Sequence, residues 1–194
     1  MARPQAPRGQ GRARVLRAAL ELFTEHGVSG TSLKMIADHL GVTKAAVYYQ
    51  FRAKEDIVLA VVAPAFEDMR TFVTDAEQAD SPEEATDRAL RGLVELVVGN
   101  RDIIASLSRD PEVERIVQAH VEYDELTNRF ARLLVGPDPT PRRLAAVSLL
   151  QGGLGQAGID PLLDEVDDAT LREELLHLGR LLLEETSGPG RAGV

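Results

Sequence analysis

Residues 32–51 read Ser32-Leu33-Lys34-Met35-Ile36-Ala37-Asp38-His39-Leu40-Gly41-Val42-Thr43-Lys44-Ala45-Ala46-Val47-Tyr48-Tyr49-Gln50-Phe51. Leu33, Ile36, Ala37 and Leu40 recur at helical spacing, and Gly41 ends that run. Thr43 is a good N-cap for a second, shorter helix whose inner face carries Val47 and Phe51. Ala37 is small where two crossed helices must approach, and Gly41 can take the left-handed conformation that a tight turn needs. Together these positions predict a helix-turn-helix. The same spacing also fits an ordinary helical hairpin, so the residues around it matter.

Upstream, Val15, Leu16, Ala19, Leu20, Leu22 and Phe23 predict a helix from about residue 10 to 26, stopped by Gly27. Thr31 or Ser32 can cap the next one. A fourth helix runs from about Ala53 to the late 70s, with Pro64 inside it as a candidate kink. Downstream, Ser81-Pro82-Glu83-Glu84, Asp110-Pro111, Thr140-Pro141 and Asp167-Asp168 are further helix starts. No stretch alternates with a period of two. The reading is all-α, with about nine helices. It divides into a flexible basic arm over 1–9, a three-helix unit over 10–54, a helical domain over 55–186, and a tail over 187–194.

The charge is divided in the same way. The 194 residues carry a net charge of −9, yet residues 1–54 alone sum to +6 and the remainder to −15. A basic head on an acidic body suggests that one end meets a polyanion. If 43–51 is a recognition helix, its outer face presents Thr43, Lys44, Ala45, Tyr48, Tyr49 and Gln50. Lys44 can donate to guanine edges or to phosphate, Gln50 can read adenine, and the Ala45 methyl can meet a thymine methyl. Thr43, the tyrosine hydroxyls and the helix N-terminus suit phosphate oxygens. Tyr48 can equally pack inward. Thr31, Ser32, Lys34 and Lys54 flank the same surface and complete the expected DNA-binding set.

Residues 12–60 resemble the DNA-binding domain of the tetracycline-repressor (TetR) family of bacterial transcription regulators. The resemblance rests on Ala19-Leu20-Glu21-Leu22-Phe23 with Gly27, Thr31-Ser32-Leu33, Ile36-Ala37, Gly41-Val42-Thr43-Lys44, and Val47-Tyr48-Tyr49-Gln50-Phe51 with Lys54-Glu55. It implies that Thr43, Lys44, Tyr48 and Tyr49 meet operator DNA, and that Lys54 meets a phosphate. Ala53 departs from the pattern, because the family often has a capping residue there. The resemblance further implies a C-terminal domain that binds a small-molecule effector and forms a homodimer.

Reading 111–135 as one helix, Val113, Ile116, Val117, Ala131 and Leu134 form an apolar stripe. His120, Asp124 and Thr127 project onto it, with Tyr123 at its edge. These residues, with Phe66 and Met69, are the expected effector wall. A self-satisfied His120–Asp124 pair, or a partly wet helix face, is the competing and commoner explanation, since buried polar residues usually satisfy one another. Leu171, Leu175, Leu178 and Leu182, after a helix bearing Gly152, Gly153 and Gly155, predict a four-helix dimer interface, or closure of the monomer's own core.

Other functions are disfavoured. The chain has no cysteine, no glycine-rich phosphate loop and no nucleophile elbow, and its four histidines lack zinc-type spacing. Neither catalysis, a metal nor a cofactor is expected. Residues 1–20 lack an apolar signal segment, no run is long enough for a membrane span, and the absence of cysteine fits a cytoplasmic location. The resulting expectation is a dimeric regulator, a repressor released from a palindromic operator by an effector. The alternative is a helical dimer that binds a ligand or protein without an operator.

Overall fold

The computed structural model describes residues 10–107 and 110–186. The expected arm over 1–9 and tail from 187 therefore lie outside the described residues. Among those described there are ten α-helices, one 3-10 turn at Pro161–Leu163, and no strand. The helices are α1 (Gln10–Gly30), α2 (Leu33–Leu40), α3 (Lys44–Gln50), α4 (Lys54–Glu77) and α5 (Pro82–Gly99). They continue as α6 (Arg101–Leu107), α7 (Pro111–Ala119), α8 (Val121–Val135), α9 (Pro141–Ala157) and α10 (Asp168–Glu184). None is long and apolar enough to cross a membrane.

The described residues form two compact units, 10–64 with 105–107 and 110–120, and 65–104 with 121–186. In the first, α1, α2 and α3 pack around Ala19, Phe23, Ile36, Ala37, Val47 and Phe51, all essentially excluded from solvent. Val113 and Ile116 of α7 are buried as well, and α7 packs on α1. α7 thus belongs with the helix-turn-helix in space, although it is distant in sequence. Gly27 takes φ 71°, which breaks α1 where the sequence reading placed its stop. A short final turn then carries the chain to Gly30.

The second unit is a helical bundle of α5, α8, α9 and α10. Ser81 caps α5 by accepting from Glu84 N at 3.1 Å, while the Glu84 carboxylate accepts from the N–H of Asp80, the residue before the cap, at 3.0 Å. The buried Arg143 guanidinium donates to the Leu134 and Leu183 carbonyls and to the Thr186 hydroxyl. It thereby satisfies carbonyls at the C-terminal ends of both α8 and α10.

One element differs from expectation. The stretch 111–135 is two helices, separated at His120, whose φ −92° and ψ 101° are extended. An extended residue resets the helical phase. Leu126, Phe130 and Leu134 consequently form the buried face of α8, while Thr127 is exposed. The stripe read across a single helix does not exist as one surface.

Candidate nucleic-acid interface

Local capping builds the α2–α3 pair. Ser32 Oγ accepts from Met35 N at 3.2 Å and starts α2. Gly41, at φ 64°, ends it, with Gly41 N bonded to Asp38 O and Val42 N to Ala37 O. These paired bonds close the helix over a left-handed residue, a conformation strained for any side chain. Thr43 Oγ1 then accepts from Ala46 N at 3.2 Å and starts α3. Val47 is 0% exposed and Phe51 2%, so the inner seam of α3 is seated as the spacing predicted.

The opposite face is open. Thr43, Lys44 and Ala45 are exposed, Tyr48 is 42% exposed, and Tyr49 is 88% exposed. The Tyr49 ring thus stands almost wholly in solvent. Lys44 Nζ lies 5.2 Å from the Tyr48 ring centroid, a cation–π distance that holds the ammonium over the same face. The cap oxygens of Ser32 and Thr43 are used as acceptors, which leaves each hydroxyl proton available to a phosphate. Lys34 is exposed and pairs with Asp38 at 2.7 Å. Such an exposed pair contributes little and readily exchanges for another anion.

Three expected residues lie elsewhere. Thr31 is 3% exposed, and its hydroxyl donates to Gly27 O at 2.8 Å, with Leu22 O a second acceptor within reach at 3.2 Å. A buried hydroxyl with two internal acceptors anchors the turn, so Thr31 leaves the proposed contact set. Lys54 Nζ donates to Val28 O at 2.6 Å, an inward partner that competes with the expected phosphate. Gln50 is half-buried, its side-chain amide packed beside Gly11. The cap missing at Ala53 is supplied by Asp56, whose Oδ2 accepts from Arg52 N and Ala53 N at 3.1 and 3.0 Å.

Sequence reasoning missed Arg12. Its guanidinium carbon sits 4.3 Å from the Phe51 ring centroid, and Arg14 and Arg17 are exposed on the same helix. Their position before the apolar series of α1 was visible, but which residue met Phe51 was not.

Residues 15–61 match the model of the tetR family of bacterial regulatory proteins. The chain carries a TetR-family domain. A curated relative, the HTH-type transcriptional repressor BepR of Brucella suis, is 29% identical over 123 residues, covering 63% of this chain and 56% of that protein. The HTH-type transcriptional regulator SrpR of Pseudomonas putida is 46% identical over 52 residues, covering 27% of this chain and 24% of its own length. The chain thus spans about half or less of these curated relatives. A TetR-like transcriptional regulator from Rhodococcus sp. RHA1 superposes with a TM-score of 0.64 at 21% identity, covering 93% of this chain and 99% of that one. The TetR-type fold therefore extends beyond the domain matched by sequence.

The second unit holds most of the expected effector residues. Phe66 and Tyr123 stack face to face, with centroids 3.9 Å apart and an interplanar angle of 4°. Burial pushes the Tyr123 hydroxyl up, with Glu67 adding to it. Met69 is half-buried, whereas Asp124 accepts from Asn128 at 3.1 Å and Thr127 donates to the Tyr123 carbonyl on the exposed side. Thr127 is therefore no part of a buried wall. His120 falls in the first unit, where its backbone N–H bonds to Val117 O and closes α7. A cavity of about 610 Å³ in the second unit lies among Thr86, Asp87, Leu90, Gly136, Arg143 and Arg180. None of the expected effector residues lines it.

Proposed function

We propose that this protein is a DNA-binding transcription regulator that represses by occupying a near-palindromic operator as a homodimer and leaves it when a small molecule binds. The observation that carries the reading is the outer face of α3. Its seam is buried through Val47 and Phe51, while Lys44, Ala45, Tyr48 and Tyr49 are presented to solvent. In a helix-turn-helix, the second helix enters the major groove and reads base edges from its N-terminal residues. Lys44 and Ala45 are the base-reading side chains, and Ser32, Lys34, Thr43, Tyr48 and Tyr49 contact backbone phosphates.

Dimerisation is supported by apolar side chains that the bundle leaves uncovered. Leu144 and Leu149 on α9 and Leu178 and Leu181 on α10 are 47 to 70% exposed. Gly152 and Gly153 on α9 are exposed and have open space beside them, which suits close helix approach. A two-fold dimer also supplies the second reading head that a palindrome needs. The stacked Phe66–Tyr123 pair, with Met69 nearby in α4, is the proposed apolar part of the effector site. The protein acts in the cytoplasm, where its DNA is.

The test is a gel-shift titration against DNA upstream of the protein's own gene. Sequence-specific retardation that survives excess unrelated DNA supports the reading. Binding equal to that of unrelated DNA contradicts it.

A further inference from the structure

Val28 follows the break in α1, and both of its backbone polar groups are held. Its N–H donates to Asp110 Oδ2 at 2.5 Å. Its carbonyl accepts from Lys54 Nζ at 2.6 Å and from Thr31 N at 3.2 Å. Ser29 N adds a longer bond of 3.4 Å to the same Asp110 oxygen. The other oxygen, Oδ1, accepts from Glu112 N at 2.9 Å and caps α7. One carboxylate therefore joins the beginning of α7 to the end of α1, across 82 residues of sequence.

The local sequence is built for this approach. Gly27 has a positive φ of 71°, which favours glycine, and a Cβ there would lie 3.1 Å from Asp110 Oδ2. Pro111 has no N–H, so the first amide that the cap can reach is that of Glu112. Burial pushes the Asp110 carboxyl up, but the amides of Glu112, Val28 and Ser29, together with Lys54, outweigh it and hold it below the usual range. The charged form is the one the site accommodates.

Capping α7 needs only one acceptor, and serine or asparagine would serve as well as aspartate. The second oxygen serves α1 instead. What it grips is the short connection that delivers α2. Val28 O holds Thr31 N, the Thr31 hydroxyl holds Gly27 O, and Ser32, the next residue, caps α2. Through the Val28 carbonyl the same residue is tied to Lys54, the first residue of α4. The starts of α4 and α7 are thus both fastened to one residue at the end of α1.

We propose that Asp110 is a positioning residue for the helix-turn-helix: its second oxygen sets where α2 and α3 lie, without itself touching DNA. The part of this inference that concerns affinity rests on the operator reading above. It carries a sign that charge alone does not. Removing a carboxylate makes the DNA-binding unit more positive, which by electrostatics tightens its hold on a polyanion. A positioning role requires the opposite.

The experiment uses the full chain with Asp110→Ser, which keeps a cap oxygen for α7 but is too short to bridge, and Asp110→Asn, which is isosteric. Amide hydrogen exchange is followed over 28–50 and 111–119, and operator affinity is measured across a salt series. The expected result is exchange about tenfold faster over 28–50 with 111–119 unchanged in the serine variant. Operator affinity should fall about tenfold, the scale of one charge-assisted hydrogen bond, with the same log–log salt slope. Exchange over 28–50 like wild type in both variants, or affinity unchanged or tightened, overturns the proposal. If wild type shows no operator affinity at all, the operator reading fails alone, and the exchange rates still decide the positioning role.

Discussion

Thr31→Val separates an anchor from a DNA contact. Valine nearly matches threonine in shape, so the substitution opens no cavity, and the change is confined to one hydroxyl. That hydroxyl is buried at 3% exposure and donates to Gly27 O at 2.8 Å, with a weaker approach to Leu22 O at 3.2 Å. A net hydrogen bond contributes about 1 kcal/mol, and a buried carbonyl left without its donor costs roughly 1–3 kcal/mol. A loss of about 2 kcal/mol is expected, which for a chain of this size moves the melting midpoint down by about 4–8 °C. Thermal and urea unfolding measure this directly. Operator affinity at a temperature where the variant is folded should stay within about twofold of wild type, because the hydroxyl faces the core. An unchanged midpoint together with a tenfold loss of affinity would refute the reasoning and return Thr31 to the interface.

Other expectations follow from the same geometry. Lys54→Met should leave the log–log salt slope of operator binding within about half a unit of wild type, since its ammonium is held by Val28 O; a slope flattened by about one unit would show that Lys54 neutralises a phosphate. The double variant Leu149→Arg, Leu178→Arg should sediment as a monomer, because both leucines are exposed on α9 and α10; a dimer of unchanged mass would place the interface elsewhere. Gly92→Ala should destabilise the second unit by about 1–3 kcal/mol in urea titrations, as the added Cβ would lie 2.6 Å from Phe72 Cβ. Asp87 is held below its ordinary value first by Arg180, against the effect of burial and with help from Arg91, and Glu77 by Arg129. A depressed carboxylate contributes stability above its unfolded pKa of about 4 and loses it as pH falls through the lower folded value. Acid titration of Asp87→Asn should therefore show less stability lost below about pH 4 than wild type, and identical acid curves would count against the pairing.

How much of this was legible in the sequence depended on distance along the chain. Thr43, Ser81, Asp110 and Thr140 cap helices as read, and Ser32 and Asp167 are the caps where the sequence offered Thr31 or Ser32 and Asp167 or Asp168, because a cap reaches only two or three residues. Gly41 and the buried Val47 and Phe51 were equally local. The break at His120 was not legible, since neither glycine nor proline marks it. The phase error it caused turned Thr127 outward and brought Leu126 and Phe130 inward. Lys54 and Asp110 were seen as a phosphate ligand and a simple cap, because their partner Val28 lies 26 and 82 residues away. Periodicity carries no information about such pairs. Arg12 against Phe51 is of the same kind.

The central claim is that α3 reads DNA through the side chains it exposes, and fluorescence anisotropy of a labelled upstream fragment tests it most directly. The titration compares wild type with the Lys44→Ala, Tyr49→Ala double variant across a salt series. Both side chains are exposed, so the variant should keep its melting midpoint. The account predicts specific binding by wild type that weakens steeply with salt, at about 0.9 log units per phosphate neutralised for each tenfold increase. It predicts that the variant binds the fragment no better than unrelated DNA. A folded variant that retains full, salt-sensitive and sequence-specific affinity would contradict it.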